Sequence, residues 1–180
     1  MIAPPHPLYG GTFDNPVVIG IADGLQRAGA GALAFNWRGI EGSEGSKTDS
    51  LEAAVEDYRA ALTTLRALDP SAPLYAAGYS FGAGAALLAA REEPELKGLI
   101  LLAPPLGLLR ADDLAATSVP ILVVVGDDDE YAPLKELEPI LATRTGLALV
   151  VIPGADHFFH FGGQLEIAVA VAEHVQRWRS

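Results

Sequence analysis

Leu74-Tyr75-Ala76-Ala77-Gly78-Tyr79-Ser80-Phe81-Gly82 is followed without interruption by the Ala-rich run Ala83 to Ala90, and this stretch decides the fold. Leu74–Tyr79 is a short apolar run of the kind that forms a buried strand, and Ala83 to Ala90 is a helix former. Gly-x-Ser-x-Gly therefore sits where a strand turns sharply into a helix. That is the context of a nucleophile elbow, which holds a serine hydroxyl up and exposed above the N-terminus of a helix. The backbone at such a serine is strained, and a Cβ on either flanking glycine would collide with the neighbouring strand or helix.

On both sides of the elbow the chain repeats the same alternation. Gly31–Asn36, Leu99–Ala103, Ile121–Val125 and Leu147–Ile152 are nearly unbroken apolar runs of five or six residues, as expected of strands buried on both faces of a parallel sheet. Leu51, Ala54, Val55, Tyr58, Ala61, Leu62, Leu65 and Leu68 recur at three- and four-residue intervals and predict a helix. Its N-cap is Asp49 or Ser50, with Asp49 and Glu52 at capping-box spacing. Asn15-Pro16 predicts a further helix start, a cap residue followed by proline at the first helical position. Ala168, Val171, Ala172, Val175 and Trp178 predict a closing amphipathic helix. Strands and helices that alternate along the whole chain imply right-handed crossovers and helices on both faces of one sheet, with function gathered at the carboxyl ends of the strands.

Composition bounds the rest. The 180 residues make one domain, 1–180, half of them hydrophobic and 19% charged. A formal net charge of −11 opposes binding to phosphate backbones or anionic membrane surfaces. With no Cys, disulfides, thiolate nucleophiles and Cys-ligated metals are excluded. The first residues lack the pattern of a secretory signal, and the longest apolar run, Gly98 to Leu109, is 12 residues broken by Pro104-Pro105. A cytoplasmic protein with no nucleic-acid or membrane partner is the expectation.

A serine hydroxyl needs a base. Of the four histidines, His174 lies near the end of the last helix, where a contact with the helix terminus explains it. His6 sits in a His-Pro turn and reads as architectural, and His160 as a neighbour of the site or a solvent-facing residue. His157 follows a strand and the turn Pro153-Gly154-Ala155-Asp156, which is the right place for the base. The carboxylate that orients such a base comes from Gly126-Asp127-Asp128-Asp129-Glu130, at the end of another strand. As an alternative, this acidic run is a solvated loop or a weak divalent-cation site, although it lacks the EF-hand spacing. The order Ser80, acid, His157 is that of α/β-hydrolases and differs from the orders of chymotrypsin and subtilisin.

Five motifs in register carry a resemblance along nearly the whole chain: His6-Pro7-Leu8-Tyr9-Gly10-Gly11-Thr12, Phe35-Asn36-Trp37-Arg38-Gly39, Gly78-Tyr79-Ser80-Phe81-Gly82, Ala103-Pro104-Pro105 and Gly154-Ala155-Asp156-His157-Phe158-Phe159. The sequence resembles the small, lidless α/β-hydrolases of serine-esterase type. The resemblance implies an α/β-hydrolase fold, a mostly parallel sheet with helices on both faces, shortened at its N-terminus and without a cap domain. It maps the acid to Asp129, three residues after Gly126 and four before Pro133, with Asp127 as the alternative. It also implies an oxyanion hole from the backbone N–H of Phe81 and that of Leu8 or Tyr9. Related dienelactone hydrolases use Cys and dehalogenases use Asp where this chain has Ser80.

Two departures bear on these expectations. Pro4 stands where family members often carry a first histidine. Only Met1-Ile2-Ala3 precede Pro4, so the usual strand order would leave Gly31–Asn36 as an uncovered sheet edge. Two readings follow: a homodimer through that edge, or a sequence that omits upstream residues. The implied activity is hydrolysis of a carboxylic ester or thioester of a small acyl substrate through an acyl-enzyme on Ser80, with no cofactor and no metal. An acyltransferase or a peptidase would use the same three residues, and a non-catalytic binding module is the competing class. The roughly 14-residue connection from Pro104 to Val119 is too short for a cap domain. Tyr9, Tyr79, Phe81, Phe158 and Phe159 are candidates for an apolar pocket or for core, Tyr79 and Phe158 being the expected substrate contacts. Arg38 is expected to anchor loops through carbonyls or acidic residues.

Overall fold

The computed structural model describes residues 1–179, in which five parallel strands lie in the order β1 (Ile2–Ala3), β2 (Leu74–Tyr79), β3 (Leu96–Leu102), β4 (Ile121–Gly126) and β5 (Leu147–Ile152). The β2 to β4 side chains are buried on both faces apart from Lys97, as expected of apolar runs, but β3 starts three residues before the expected Leu99–Ala103 and ends at Leu102, because Ala103 turns out of the strand at φ 43°. β5 spans the expected residues but is half-buried, because it forms the outer edge of the sheet and pairs on one side only. That corrects the expectation of burial on both faces.

The expected strand Gly31–Asn36 is reduced to one parallel bridge, between Ala34 and Ile2. β1 has only two residues, so its far side can hold little more than this contact and the bond from Ile2 N–H to the Leu33 carbonyl at 2.8 Å. The segment nevertheless fixes the topology. From β1 the chain runs through α1 (Pro16–Arg27) to one side of β1, and it then returns through α2 (Leu51–Leu68) to β2 on the other side. The carboxyl end of β1 is thereby a topological switch point, the place where an open α/β sheet leaves a crevice.

α1 and α6 (Gln164–Arg179) cover one face of the sheet together. α2, α3 (Phe81–Ala90), α4 (Ala111–Ala116) and α5 (Leu134–Leu141) cover the other. α1 begins as predicted: Asn15 accepts a hydrogen bond from Val17 N–H, with Pro16 at the first position. Ser50, not Asp49, caps α2 by accepting from Ala53 N–H at 3.2 Å, and its hydroxyl donates to Glu52. Only Ala54, Val55, Tyr58 and Leu62 of the predicted helix face are buried, and Leu68 is exposed at the last position of the helix. The Tyr58 hydroxyl lies 3.1 Å from the carbonyls of both Met1 and Ala77 and accepts from Ala77 N–H, tying α2 to the two strands that lead into the site. Arg38 does anchor loops: it reaches Asp57, Glu56 and the Ala53 carbonyl. The connection between β3 and β4 holds a single 3-10 turn and the six-residue α4, so no cap covers the strand ends.

α3 is almost wholly buried because small residues let it approach the sheet. A Cβ at Gly78 would lie 2.1 Å from the Gly82 carbonyl oxygen, and one at Gly82 2.4 Å from that of Pro4. Both obstacles are backbone, which cannot swing aside. Gly78→Ala is therefore expected to lose about 1–3 kcal/mol or more of stability, the range of overpacked interiors. Urea unfolding midpoints would measure it, and a variant as stable as the wild type would contradict this account of the turn.

Candidate active site

Ser80 stands between β2 and α3 at φ 54° and ψ −117°, a conformation that L residues avoid. Neighbouring bonds hold it there: Ser80 N–H donates to the Leu102 carbonyl and the Ser80 carbonyl accepts from Ala83 N–H, each at 2.9 Å. Its Oγ lies 2.9 Å from His157 Nε2. His157 Nδ1 in turn lies 2.9 Å from both carboxylate oxygens of Asp129. A carboxylate can only accept, so Nδ1 carries the imidazole proton and Nε2 turns its lone pair to the Ser80 hydroxyl.

The Asp129 carboxylate is buried and fixed by a local turn, its Oδ1 accepting from Tyr131 N–H at 2.8 Å and Ala132 N–H at 3.0 Å. Asp127, the alternative acid, faces elsewhere and accepts from Gly154 N–H at 2.5 Å. With Asp128 N–H donating to the Ala155 carbonyl at 3.1 Å, that bond stitches the acid loop to the loop that presents His157. From below, Phe159 anchors the same loop in the core, so it belongs to packing and not to the pocket. The Tyr79 hydroxyl donates to the His157 carbonyl at 2.9 Å. Burial, with the charges of Asp129 and Asp156, pushes this phenol well above its ordinary value and keeps it a donor. The bond from Tyr79 next to the serine onto the histidine loop has no signal in the sequence.

His6 and His160 fall where expected, whereas His174 is buried against the interior of α6 and not at the helix terminus. His174 Nδ1 lies 2.8 Å from the Ala170 carbonyl within α6, and His160 pairs with Asp156 on the exposed side of the loop. His6 caps the 3-10 turn Pro7–Tyr9, its Nδ1 accepting from Leu8 N–H at 3.2 Å, while Tyr9 N–H donates to the His6 carbonyl at 3.1 Å. Both expected partners of Phe81 in an oxyanion hole are thus engaged within the turn. Phe81 is the first residue of α3, where N–H groups have no partner inside the helix. Burial lowers the His6 pKa, with Asp49 opposing, which favours the neutral ring that can accept.

A cavity of about 410 Å³ opens above Ser80, walled by Pro5, Tyr9, Pro105, Leu108, Tyr131 and Phe158. Tyr9 and Phe158 were legible as candidates. Pro105, Leu108 and Tyr131 were not: the first two come from the connection between β3 and β4 and the third from the loop after β4, and nothing local brings them over Ser80. Among the described residues no His, Asp and Glu group could hold a metal ion, and no helix is long and apolar enough to cross a membrane.

The chain is similar to known proteins in sequence and in fold. The family model described as serine aminopeptidase, S33, matches residues 17–111, which include Ser80 and stop short of Asp129 and His157. An uncharacterized protein of Rickettsia prowazekii (strain Madrid E) is 30% identical over 171 residues, 89% of this chain and 71% of that protein. A serine hydrolase without a lid from Xanthomonas campestris is 32% identical, with a TM-score of 0.87 over 98% of this chain and 80% of that one. A protein of unknown function from Agrobacterium tumefaciens gives 30% identity and a TM-score of 0.87 over 99% of this chain and 84% of its own. An elbow serine over a parallel sheet, and sequence likeness along nearly the whole length, place the chain in the α/β-hydrolase family of serine hydrolases to which that S33 model belongs.

Proposed function

We propose that the protein hydrolyses a carboxylic ester or thioester through a covalent acyl-enzyme on Ser80. The observation that carries this reading is the unbroken chain of 2.9 Å contacts from Ser80 Oγ through His157 to Asp129, built on a strained elbow at the floor of an open apolar cavity. Ser80 Oγ attacks the substrate carbonyl carbon as His157 Nε2 takes the hydroxyl proton. Asp129 stabilises the imidazolium. The tetrahedral oxyanion is met by Phe81 N–H at the positive end of α3 and by Leu8 N–H, which exchanges its long, neutral bond to His6 for a stronger one to an anion. On collapse the bond from carbon to the leaving oxygen or sulfur breaks, and that atom takes the proton from Nε2. Water then repeats the sequence: His157 takes its proton, hydroxide adds to the acyl carbon, and Ser80 leaves with a proton returned from His157.

Incubation with a fluorophosphonate, followed by peptide mapping, tests this. Stoichiometric labelling of Ser80 is expected in the wild type, with none in Ser80→Ala and slow labelling at best in His157→Ala. An unlabelled, folded wild type beside a serine esterase that reacts would overturn the reading. A panel of short-chain esters, thioesters and amino-acid anilides then separates ester from amide cleavage.

A further inference from the structure

Two aromatic rings stand against the imidazole of His157 without taking part in the proton relay. The Tyr131 ring centroid is 4.6 Å from that of His157 at an interplanar angle of 46°, and Phe158 stands edge-on at 5.2 Å and 89°. The two rings meet each other at 6.0 Å, and each keeps 49% of its surface in solvent. Core packing does not explain rings that remain half wet. Both line the cavity over Ser80, where apolar surface gains most when a ligand covers it.

The chemistry of the site fixes what would cover them. In the acyl-enzyme reading, on which this inference rests, the departing atom must come within hydrogen-bond reach of Nε2 to collect its proton. Its substituent consequently extends from Nε2, along the rings that flank the imidazole. The oxyanion points toward Phe81 N–H, and the acyl chain takes the remaining direction. Charge then narrows the substituent. No Lys or Arg lines the cavity, and the loop that carries Tyr131 also exposes Asp127, Asp128 and Glu130. A leaving group with phosphates would meet uncompensated negative charge there.

We propose that Tyr131 and Phe158 form a leaving-group subsite for uncharged apolar alcohols, aromatic ones above all, and that the site discriminates against acyl groups carried on phosphorylated thiols or alcohols. The test holds the acyl group constant. Ethyl butyrate, benzyl butyrate and benzyl butyrate bearing a ring phosphate release alcohols of similar acidity, so differences in kcat/KM report contact rather than intrinsic reactivity. The benzyl ester is expected to exceed the ethyl ester about tenfold or more, the scale of apolar pocket discrimination. The phosphate should reverse that gain, less so in high salt. In Tyr131→Ala and Phe158→Ala the benzyl-to-ethyl ratio should fall toward one, while Phe158→Leu keeps part of it. A wild type labelled at Ser80 whose ratio is already near one, or that prefers the phosphorylated ester, overturns the subsite and leaves the hydrolase reading standing. Loss of labelling and turnover together overturns both.

Discussion

Ser80→Ala, His157→Ala and the double variant are all expected to lower kcat by a similar factor, on the order of 10⁵ to 10⁶, because residues that act as one relay lose their effect together. Without Ser80 no covalent intermediate forms, and His157 has no hydroxyl to deprotonate. Without His157 the Ser80 hydroxyl keeps its proton at neutral pH. The catalysis left in each case comes from the cavity and the oxyanion donors, which neither substitution touches. The Ser80 hydroxyl makes one side-chain hydrogen bond, at 2.9 Å to His157, so Ser80→Ala should unfold within about 0.5 kcal/mol of the wild type. Alanine also inherits the strained φ of 54° with no added burden. Single-turnover hydrolysis of p-nitrophenyl butyrate, with urea unfolding alongside, would measure both effects. A double variant slower by the product of the two single effects would mean that the residues act independently, and the relay would have to be abandoned.

The parts of the fold that were legible in the sequence are those whose pattern is set by local chemistry. β2 and β5 begin and end where their apolar runs do, and α1 starts at its Asn-Pro cap. Burial of β5 and the fate of Gly31–Asn36 were not legible, because both depend on which strand lies alongside, and that is a property of topology rather than of the run itself. α4 and α5 escaped for another reason. The first has six residues and no side-chain cap, and the second carries Pro139 inside it, so neither offers enough periodicity to read.

The site divides the same way. Ser80, Asp129 and His157 each sit in a turn at the carboxyl end of a strand, and such turns announce themselves by glycine, proline and spacing. What the sequence concealed are contacts made between separate elements: the Tyr79 hydroxyl on the His157 carbonyl and Tyr131 against the imidazole. The first ties the strand that ends at the elbow to the loop of His157, and the second sets a ring along the imidazole. They leave no local pattern.

The two acidic candidates separate most sharply by substitution to asparagine, which keeps size and shape and changes only charge and donor character. Asp129→Asn is expected to lower kcat about 10⁴-fold, the scale seen when a buried triad carboxylate becomes an amide. The amide can keep accepting from Tyr131 and Ala132 N–H through its oxygen. Its NH₂ then takes the Oδ2 position, also 2.9 Å from Nδ1, where a donor opposes the Nδ1 proton and favours the tautomer that carries its proton on Nε2 and presents N–H to the serine hydroxyl. The serine loses its base with the fold intact, and KM should change far less than kcat. Asp127→Asn keeps a carbonyl oxygen to accept from Gly154 N–H, and its position is exposed. A change of about twofold or less in kcat is expected there, in line with surface substitutions that spare a hydrogen bond. Steady-state kinetics of the two variants against one ester decides between them. A collapse in Asp127→Asn with Asp129→Asn nearly active would move the acid to Asp127 and require the His157 loop to rearrange during turnover.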